Sequence, residues 1–180
     1  NIANQKKINN LLRQLGLIVP TLCSFNVLAM EPDRKRFLFH PHQDLHRHIS
    51  HKTINIWVPL TTGKNIGGMG IAKGAHADGP LPHFVASDGQ LEIKRSLYEH
   101  REHVLFEDID VGDAIIFDTR VIHWSIMNRS KKTRWTIQLA LADGARTPHL
   151  ESSLLAFDPS DYIDVRSNED RIKTAHESAG

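Results

Sequence analysis

Residues 112–142 have the sequence GDAIIFDTRVIHWSIMNRSKKTRWTIQLALA. This segment contains three short apolar runs, at 113–118, 121–127 and 133–142, with polar residues typical of turns between them. Apolar runs of this length, bounded in this way, predict short β-strands. The segment therefore indicates consecutive strands that lie close together in the fold.

The same pattern continues toward the N-terminus. Five further strands are predicted, at 22–30, 35–42, 53–60, 66–72 and 103–107. Many short strands with little helix between them predict a mainly β fold, either an antiparallel barrel or a two-sheet jelly roll. We expect one domain over residues 1–180, with its core at about 20–142.

Three other segments complete the predicted organisation. Apolar residues at helical spacing in 1–15 predict a short N-terminal amphipathic helix. The widest gap between predicted strands, 73–101, is expected to be a long loop that acts as a lid or contributes to binding. The polar segment 158–180 is expected to be a tail. These flanking loops would determine which substrate binds, and the sequence does not identify that substrate or the oligomeric state.

The charge balance argues against a nucleic-acid binder. The chain has 22 Lys plus Arg and 21 Asp plus Glu, a formal net charge of +1. Contacts to phosphates need an excess of basic residues gathered on one face. We therefore expect a small-molecule substrate.

The cysteine content and the apolar runs bear on the cellular setting. Cys23 is the single cysteine, so an intrachain disulfide is excluded. The apolar runs are shorter than the roughly 20 residues that cross a bilayer. Both observations favour a cytoplasmic protein without a membrane partner. Because the sequence begins at Asn1 without an initiator methionine, an upstream N-terminal element is an open expectation.

A His-x-Asp triplet, His42 and Asp44, ends the predicted strand 35–42. In an extended chain, residues two apart point to the same face, so both side chains can bind one metal ion. They would supply two of the three ligands of a facial triad, which holds Fe(II) and leaves coordination positions open. Alone the triplet is weak evidence, since the chain has 12 histidines and 21 acidic residues. His40, on the same face as His42, is an alternative ligand.

The third ligand is predicted from the last two strands of the opening segment. A symmetric hairpin turning at 128–132 would place His123 directly opposite Arg134 on one face, with Ser125 on the same face. Arg134 would then offer a bidentate partner for a carboxylate beside the metal. This geometry predicts a site for a carboxylate-bearing molecule next to His123.

Over roughly residues 20–142 the sequence resembles the phytanoyl-CoA dioxygenase family of Fe(II) and 2-oxoglutarate dependent oxygenases. The resemblance rests on the order and spacing of five motifs. They are HQDLH at 42–46, WVPL at 57–60, GGM at 67–69 leading to GAH at 74–76, GDAIIF at 112–117, and His123 with Ser125, Asn128 and Arg134.

The resemblance implies both a fold and a set of site residues. It implies a double-stranded β-helix, a jelly-roll variant of the cupin-like barrel. It also implies that His42, Asp44 and His123 are catalytic iron ligands. Arg134 would bind the distal carboxylate of 2-oxoglutarate, Ser125 would support that contact, and Trp57 would line the same pocket.

The activity implied by the resemblance is that of a dioxygenase. Fe(II) is the cofactor, and 2-oxoglutarate and O2 are cosubstrates that yield succinate and CO2 while a C–H bond of a small or medium-sized metabolite is hydroxylated. Halogenation is not expected, because Asp44 occupies the position that halogenating relatives leave vacant. Two alternatives are a cupin-like metalloenzyme that does not use 2-oxoglutarate and a non-catalytic binding module on the same fold.

Overall fold

The computed structural model describes residues 6–35, 38–44 and 53–146. Residues 1–147 form one compact unit and 148–180 a second, so everything described here belongs to the first unit. The predicted tail at 158–180 lies outside the described residues. A single domain over 1–180 therefore stays a prediction.

The fold of residues 6–35, 38–44 and 53–146 is mainly β, as predicted. One α-helix, α1, is followed by nine strands and short 3-10 turns at 75–78, 95–97 and 144–146. The elements in chain order are α1 Lys6–Gln14, β1 Pro20–Met30, β2 Thr53–Pro59, β3 Gly68–Ala72, β4 His83–Val85, β5 Leu91–Ile93, β6 His103–Glu107, β7 Ile115–Asp118, β8 His123–Ile126 and β9 Arg134–Asp143.

The strands form two main sheets and a small hairpin. The larger sheet has the order β1-β9-β2-β7, the smaller has the order β6-β3-β8, and β4 pairs with β5. Every pairing between these strands is antiparallel. This arrangement matches the predicted two-sheet architecture.

Alternation along β2 and β9 separates two cores. Ile54, Ile56 and Val58 pack with Leu12 of α1 on one face of the larger sheet. Asn55 and Trp57 point to the other face. There the side chain of Trp57 joins a second apolar cluster with four residues of β3, β7 and the following turn, namely Met69, Ile115, Phe117 and Val121. The second cluster therefore packs between the two main sheets.

The predicted hairpin between His123 and Arg134 is wrong. β8 pairs with β3 in the smaller sheet, whereas β9 lies between β1 and β2 in the larger sheet. The chain between β8 and β9 therefore crosses from one sheet to the other, and Arg134 lies opposite Met30. The polar segment 128–132 connects the two strands, but each of them pairs with strands that are distant in sequence.

Two other predicted elements differ from the structure. Beyond Lys35, the structure describes residues 38–42 of the predicted strand 35–42. In these residues the chain forms only a single-residue bridge, at His42. Pro41 has no amide hydrogen to give to a strand ladder, which disfavours a regular strand there. The predicted loop 73–101 contains the β4–β5 hairpin, whose three-residue strands are too short for an apolar pattern to predict.

Candidate metal centre

Three predicted ligands come together in a buried cluster. Candidate ligand atoms of His42, Asp44 and His123 all lie within 4.8 Å of one another, and the three residues are 2–6% exposed. His42 Nε2 lies 3.4 Å from Asp44 Oδ1, and His123 Nε2 lies 3.6 Å from Asp44 Oδ2. Two imidazoles and a carboxylate form the donor set of a facial triad.

Backbone hydrogen bonds bring these ligands together. His42 and His123 exchange both main-chain hydrogen bonds, each with an N···O distance of 3.0 Å. The amide of Asp44 donates to the carbonyl of Thr119 at 3.1 Å. The segment that carries the first two ligands therefore runs beside the turn that precedes the third.

Both imidazoles present Nε2 to the cluster. Nδ1 of His42 lies 2.6 Å from the carbonyl oxygen of His40, and Nδ1 of His123 lies 3.0 Å from that of Val121. Because a carbonyl only accepts hydrogen bonds, each Nδ1 is the donor, and in a neutral imidazole this places the lone pair on Nε2. This is the arrangement in which neutral histidine binds a divalent metal.

The alternative ligand His40 does not belong to the cluster. Its Nε2 lies 2.8 Å from Asp88 Oδ2, and its carbonyl accepts from His42 as described above. The side chain of His40 is thus directed at the β4–β5 hairpin. Its main chain contributes to the site by orienting the neighbouring imidazole.

Asp44 is oriented by two side-chain amides that no sequence motif had indicated. Nδ2 of Asn55 donates to Asp44 Oδ2 at 3.0 Å, and Nε2 of Gln138 donates to the same oxygen at 3.2 Å. The sequence did contain one indication of such a residue, namely a polar side chain among mostly apolar neighbours in a buried strand. Asn55 in the sequence TINIWVP of β2 is such a residue.

Arg134 is a buried cation on the face of the larger sheet that also carries Asn55 and Trp57. Arg134 is 4% exposed, and its Nη1 donates to the carbonyls of Gly68 and Ile126, both at 3.1 Å. Its Cζ lies 5.8 Å from the centroid of the Trp57 ring. Arg134 is therefore directed between the sheets, although it comes from the sheet opposite to β8.

No acidic side chain in the described parts of the chain forms an ion pair with Arg134, and its buried Nε has no hydrogen-bond partner there. Burial lowers the pKa of Arg134 from its usual value to about 10, so the guanidinium is still charged at neutral pH. A buried charge without a counter-charge is costly. The environment of Arg134 is accordingly suited to an anionic ligand.

The other two predicted pocket residues also fall on this interior. Ser125 lies two residues after His123 on β8, on the same face by strand alternation, and it pairs with Met69 of β3. Trp57 packs with Phe117, whose ring centroid is 4.8 Å from that of His123. A largely apolar wall thus connects the histidine cluster with the tryptophan beneath Arg134.

A family model described as phytanoyl-CoA dioxygenase (PhyH) matches residues 3–136, well over half of the chain. The chain belongs to the phytanoyl-CoA dioxygenase family. The resemblance drawn from the five motifs is therefore confirmed. The matched region includes all the predicted site residues.

A curated relative of this family member is 1-deoxypentalenic acid 11-beta-hydroxylase from Streptomyces exfoliatus. The two are 33% identical over 81 residues, which cover 41% of this chain and 29% of the hydroxylase. The matched part of this chain thus spans well under half the length of that relative.

Solved structures share the fold at lower sequence identity. EctD from S. alaskensis, crystallised with 2-oxoglutarate and 5-hydroxyectoine, has a TM-score of 0.61 at 16% identity, over 80% of this chain and 51% of EctD. The epimerase SnoN, in complex with Fe3+, alpha ketoglutarate and nogalamycin RO, has a TM-score of 0.56 at 21% identity, over 69% of this chain and 51% of SnoN. The jelly-roll prediction for this phytanoyl-CoA dioxygenase family member is confirmed.

None of the helices of this family member within 6–35, 38–44 and 53–146 is long and apolar enough to cross a bilayer.

Proposed function

We propose that the protein is an Fe(II) and 2-oxoglutarate dependent dioxygenase that hydroxylates a C–H bond of a small or medium-sized metabolite. The observation that carries the proposal is the buried cluster of His42, Asp44 and His123, in which both histidines offer Nε2. When bound, Fe(II) with 2-oxoglutarate and O2 supplies the oxidising power for this reaction, and succinate and CO2 are released.

The protein's own residues have separable tasks in this proposal. His42, Asp44 and His123 hold the metal, while Asn55 and Gln138 keep the carboxylate of Asp44 in place. These three residues would hold the metal and would leave its other coordination positions open to cosubstrates. The carboxylate remains acceptor-only when ionised and so suits a divalent cation.

Arg134 supports the assignment of 2-oxoglutarate as cosubstrate. A dicarboxylate bound at the metal by one end has a second carboxylate to place, and the guanidinium is a buried cation suited to it. Trp57 packs against that guanidinium, and Ser125 is proposed to add a hydroxyl contact. The apolar wall around Trp57 and Phe117 would exclude water from the reacting centre.

The relatives bear on the outcome of the reaction. One curated relative is named as a hydroxylase and one structural neighbour as an epimerase. We propose hydroxylation because the relative with the higher sequence identity carries that name. The assay must therefore distinguish a product that has gained one oxygen atom from an isomer of the substrate.

The test begins without oxygen. Fe(II) and then 2-oxoglutarate are added anaerobically to the wild type and to His123→Ala. We expect a weak visible charge-transfer band in the wild type alone, followed by succinate release when O2 and a metabolite panel are admitted. Iron binding without this band would favour a metalloenzyme that does not use 2-oxoglutarate. The band without turnover across the panel would favour a binding module.

A further inference from the structure

Gln43 lies between two of the proposed metal ligands, and its side chain is fully buried. Nε2 donates to the carbonyls of Gly79 at 2.9 Å and Arg120 at 2.7 Å, and Oε1 accepts from the amide of Leu81 at 2.8 Å. Both amide donors are therefore used, and the acceptor is engaged as well. One side chain thus connects the ligand segment to loop 79–81 and to the turn that precedes His123.

The main chain of Gln43 also forms a hydrogen bond to this part of the structure, through His83. Its amide donates to Nε2 of His83 at 3.0 Å, and Nδ1 of His83 lies 2.9 Å from the carbonyl of Leu81. His83 is accordingly neutral, with its hydrogen on Nδ1 and its lone pair directed at the Gln43 amide. The start of β4 therefore fixes the backbone at the centre of the His-x-Asp triplet.

Support of this kind matters because segment 38–44 is not part of a regular sheet. Its only strand-type pairing within the described residues is the single bridge between His42 and His123. A further backbone bond joins it to the hairpin, from the amide of Ile93 to the carbonyl of Pro41 at 2.8 Å. Ligands on irregular chain keep a precise spacing only when neighbouring groups hold that chain.

We propose that Gln43 is a positioning residue for the metal centre, assisted by His83. Together with the main-chain bonds of His42 and Asp44, it holds the His42–Asp44 pair at its distance from His123 before the metal binds, because its Nε2 donates to the carbonyl of Arg120, three residues before His123. The inference rests on the proposed function only in taking His42, Asp44 and His123 as the metal ligands. Gln43 itself contacts neither metal nor substrate in this proposal.

The test measures binding of Co(II) alone, followed by its ligand-field absorption, together with the free energy of unfolding. Gln43→Glu keeps the size and the acceptor but removes both donors. Losing support around metal ligands typically weakens metal binding about 10–100-fold, and we expect a loss in this range with an altered Co(II) spectrum. Equal Co(II) affinity and an unchanged spectrum in the wild type and Gln43→Glu would overturn the inference while leaving the proposed function intact.

Asn128→Asp is a matched control. Asn128 is also fully buried, its Nδ2 donates to the carbonyls of Met30 at 2.9 Å and Lys132 at 2.7 Å, and its Oδ1 accepts from the amide of Ser130. This substitution likewise removes two donors, so it should lower stability but leave Co(II) affinity unchanged. If Asn128→Asp weakens Co(II) binding as much as Gln43→Glu does, affinity merely follows stability and the positioning role is overturned.

The second contact gives an independent pair of variants. His83→Leu removes the acceptor for the Gln43 amide and should weaken Co(II) binding, whereas His83→Gln supplies an oxygen at similar reach and should restore most of it. If Gln43→Glu fails to fold, this pair decides, and equal affinity of His83→Leu and wild type overturns the inference. A wild type that does not bind Co(II) would overturn the proposed metal centre, and the positioning role with it.

Discussion

Nδ2 of Asn55 donates a 3.0 Å hydrogen bond to Oδ2 of Asp44, and both residues are almost completely buried. The bond joins the middle of β2 to the segment that carries two proposed metal ligands. It fixes the orientation of the carboxyl group. Oδ1 of Asn55 has no partner within the described residues, so the amide is oriented through its donor end.

Replacing Asn55 by Ala should therefore weaken Fe(II) binding about 10–100-fold, which anaerobic titration of the protein with Fe(II) would measure. Gln138→Ala is the comparison. We expect it to lose less Fe(II) affinity, because the bond from Gln138 to Asp44 is longer than that from Asn55. An Asn55→Ala protein with wild-type iron affinity would contradict this role.

Removing any of the three ligands should abolish turnover and strongly reduce bound iron. The variants are His42→Ala, Asp44→Ala and His123→Ala, and metal analysis of the purified proteins gives the result. His40→Ala is the control, because it keeps the carbonyl that orients His42 and should retain about one iron per chain. Full iron occupancy and activity in His123→Ala would show that the third ligand is assigned wrongly.

Arg134→Ala should weaken 2-oxoglutarate binding by roughly two to three orders of magnitude, since removing one partner of a buried charge pair costs about 3–5 kcal/mol. Iron affinity should change little. Arg134→Lys should recover part of the loss, because an ammonium keeps the charge but not the fork geometry.

Titration of 2-oxoglutarate into the iron-loaded, anaerobic proteins measures the effect of changing Arg134. Arg129→Ala is the matched control, because it removes an exposed cation from the same connection between β8 and β9. We expect that change to cost less than about 1 kcal/mol. Identical dissociation constants for Arg134→Ala and Arg129→Ala would remove the argument for a carboxylate bound at this guanidinium.

Stability should depend on pH through the Asp118–Arg120 pair. Burial by itself raises the pKa of Asp118, but hydrogen bonds from Arg120 Nε at 2.8 Å and Nη2 at 2.7 Å outweigh it and lower that pKa below its usual value. A carboxyl group with a lowered folded-state pKa stabilises the protein above its unfolded pKa. That contribution is lost as the pH falls through the folded value.

Asp118→Asn should therefore lower the free energy of unfolding by about 1 kcal/mol at neutral pH, with a smaller difference in acid. Urea unfolding of both proteins over an acidic pH series measures this. Glu102→Gln is the control, since it breaks the exposed Lys73–Glu102 pair and should change stability little at any pH. A deficit in Asp118→Asn that does not shrink in acid would contradict the ionic origin.

The strand content and the family could be predicted from local features of the sequence, and the three proposed ligands were selected from it. These follow from local features: short apolar runs, the His-x-Asp spacing of His42 and Asp44, and a motif order that places His123 third. Seven of the eight predicted strands correspond to strands in the structure, because side-chain alternation and turn residues are encoded within a few positions.

Strand pairing could be learned only from the folded structure. Alternation fixes the face on which a side chain lies but not the neighbouring strand, since the same pattern fits any antiparallel partner. That is why β8 joined β3, β9 joined β1 and β2, and Arg134 reached the interior from the opposite sheet. Asn55, Gln138 and Gln43 gained their roles in the same way, because their partners are 11 to 94 residues away along the chain.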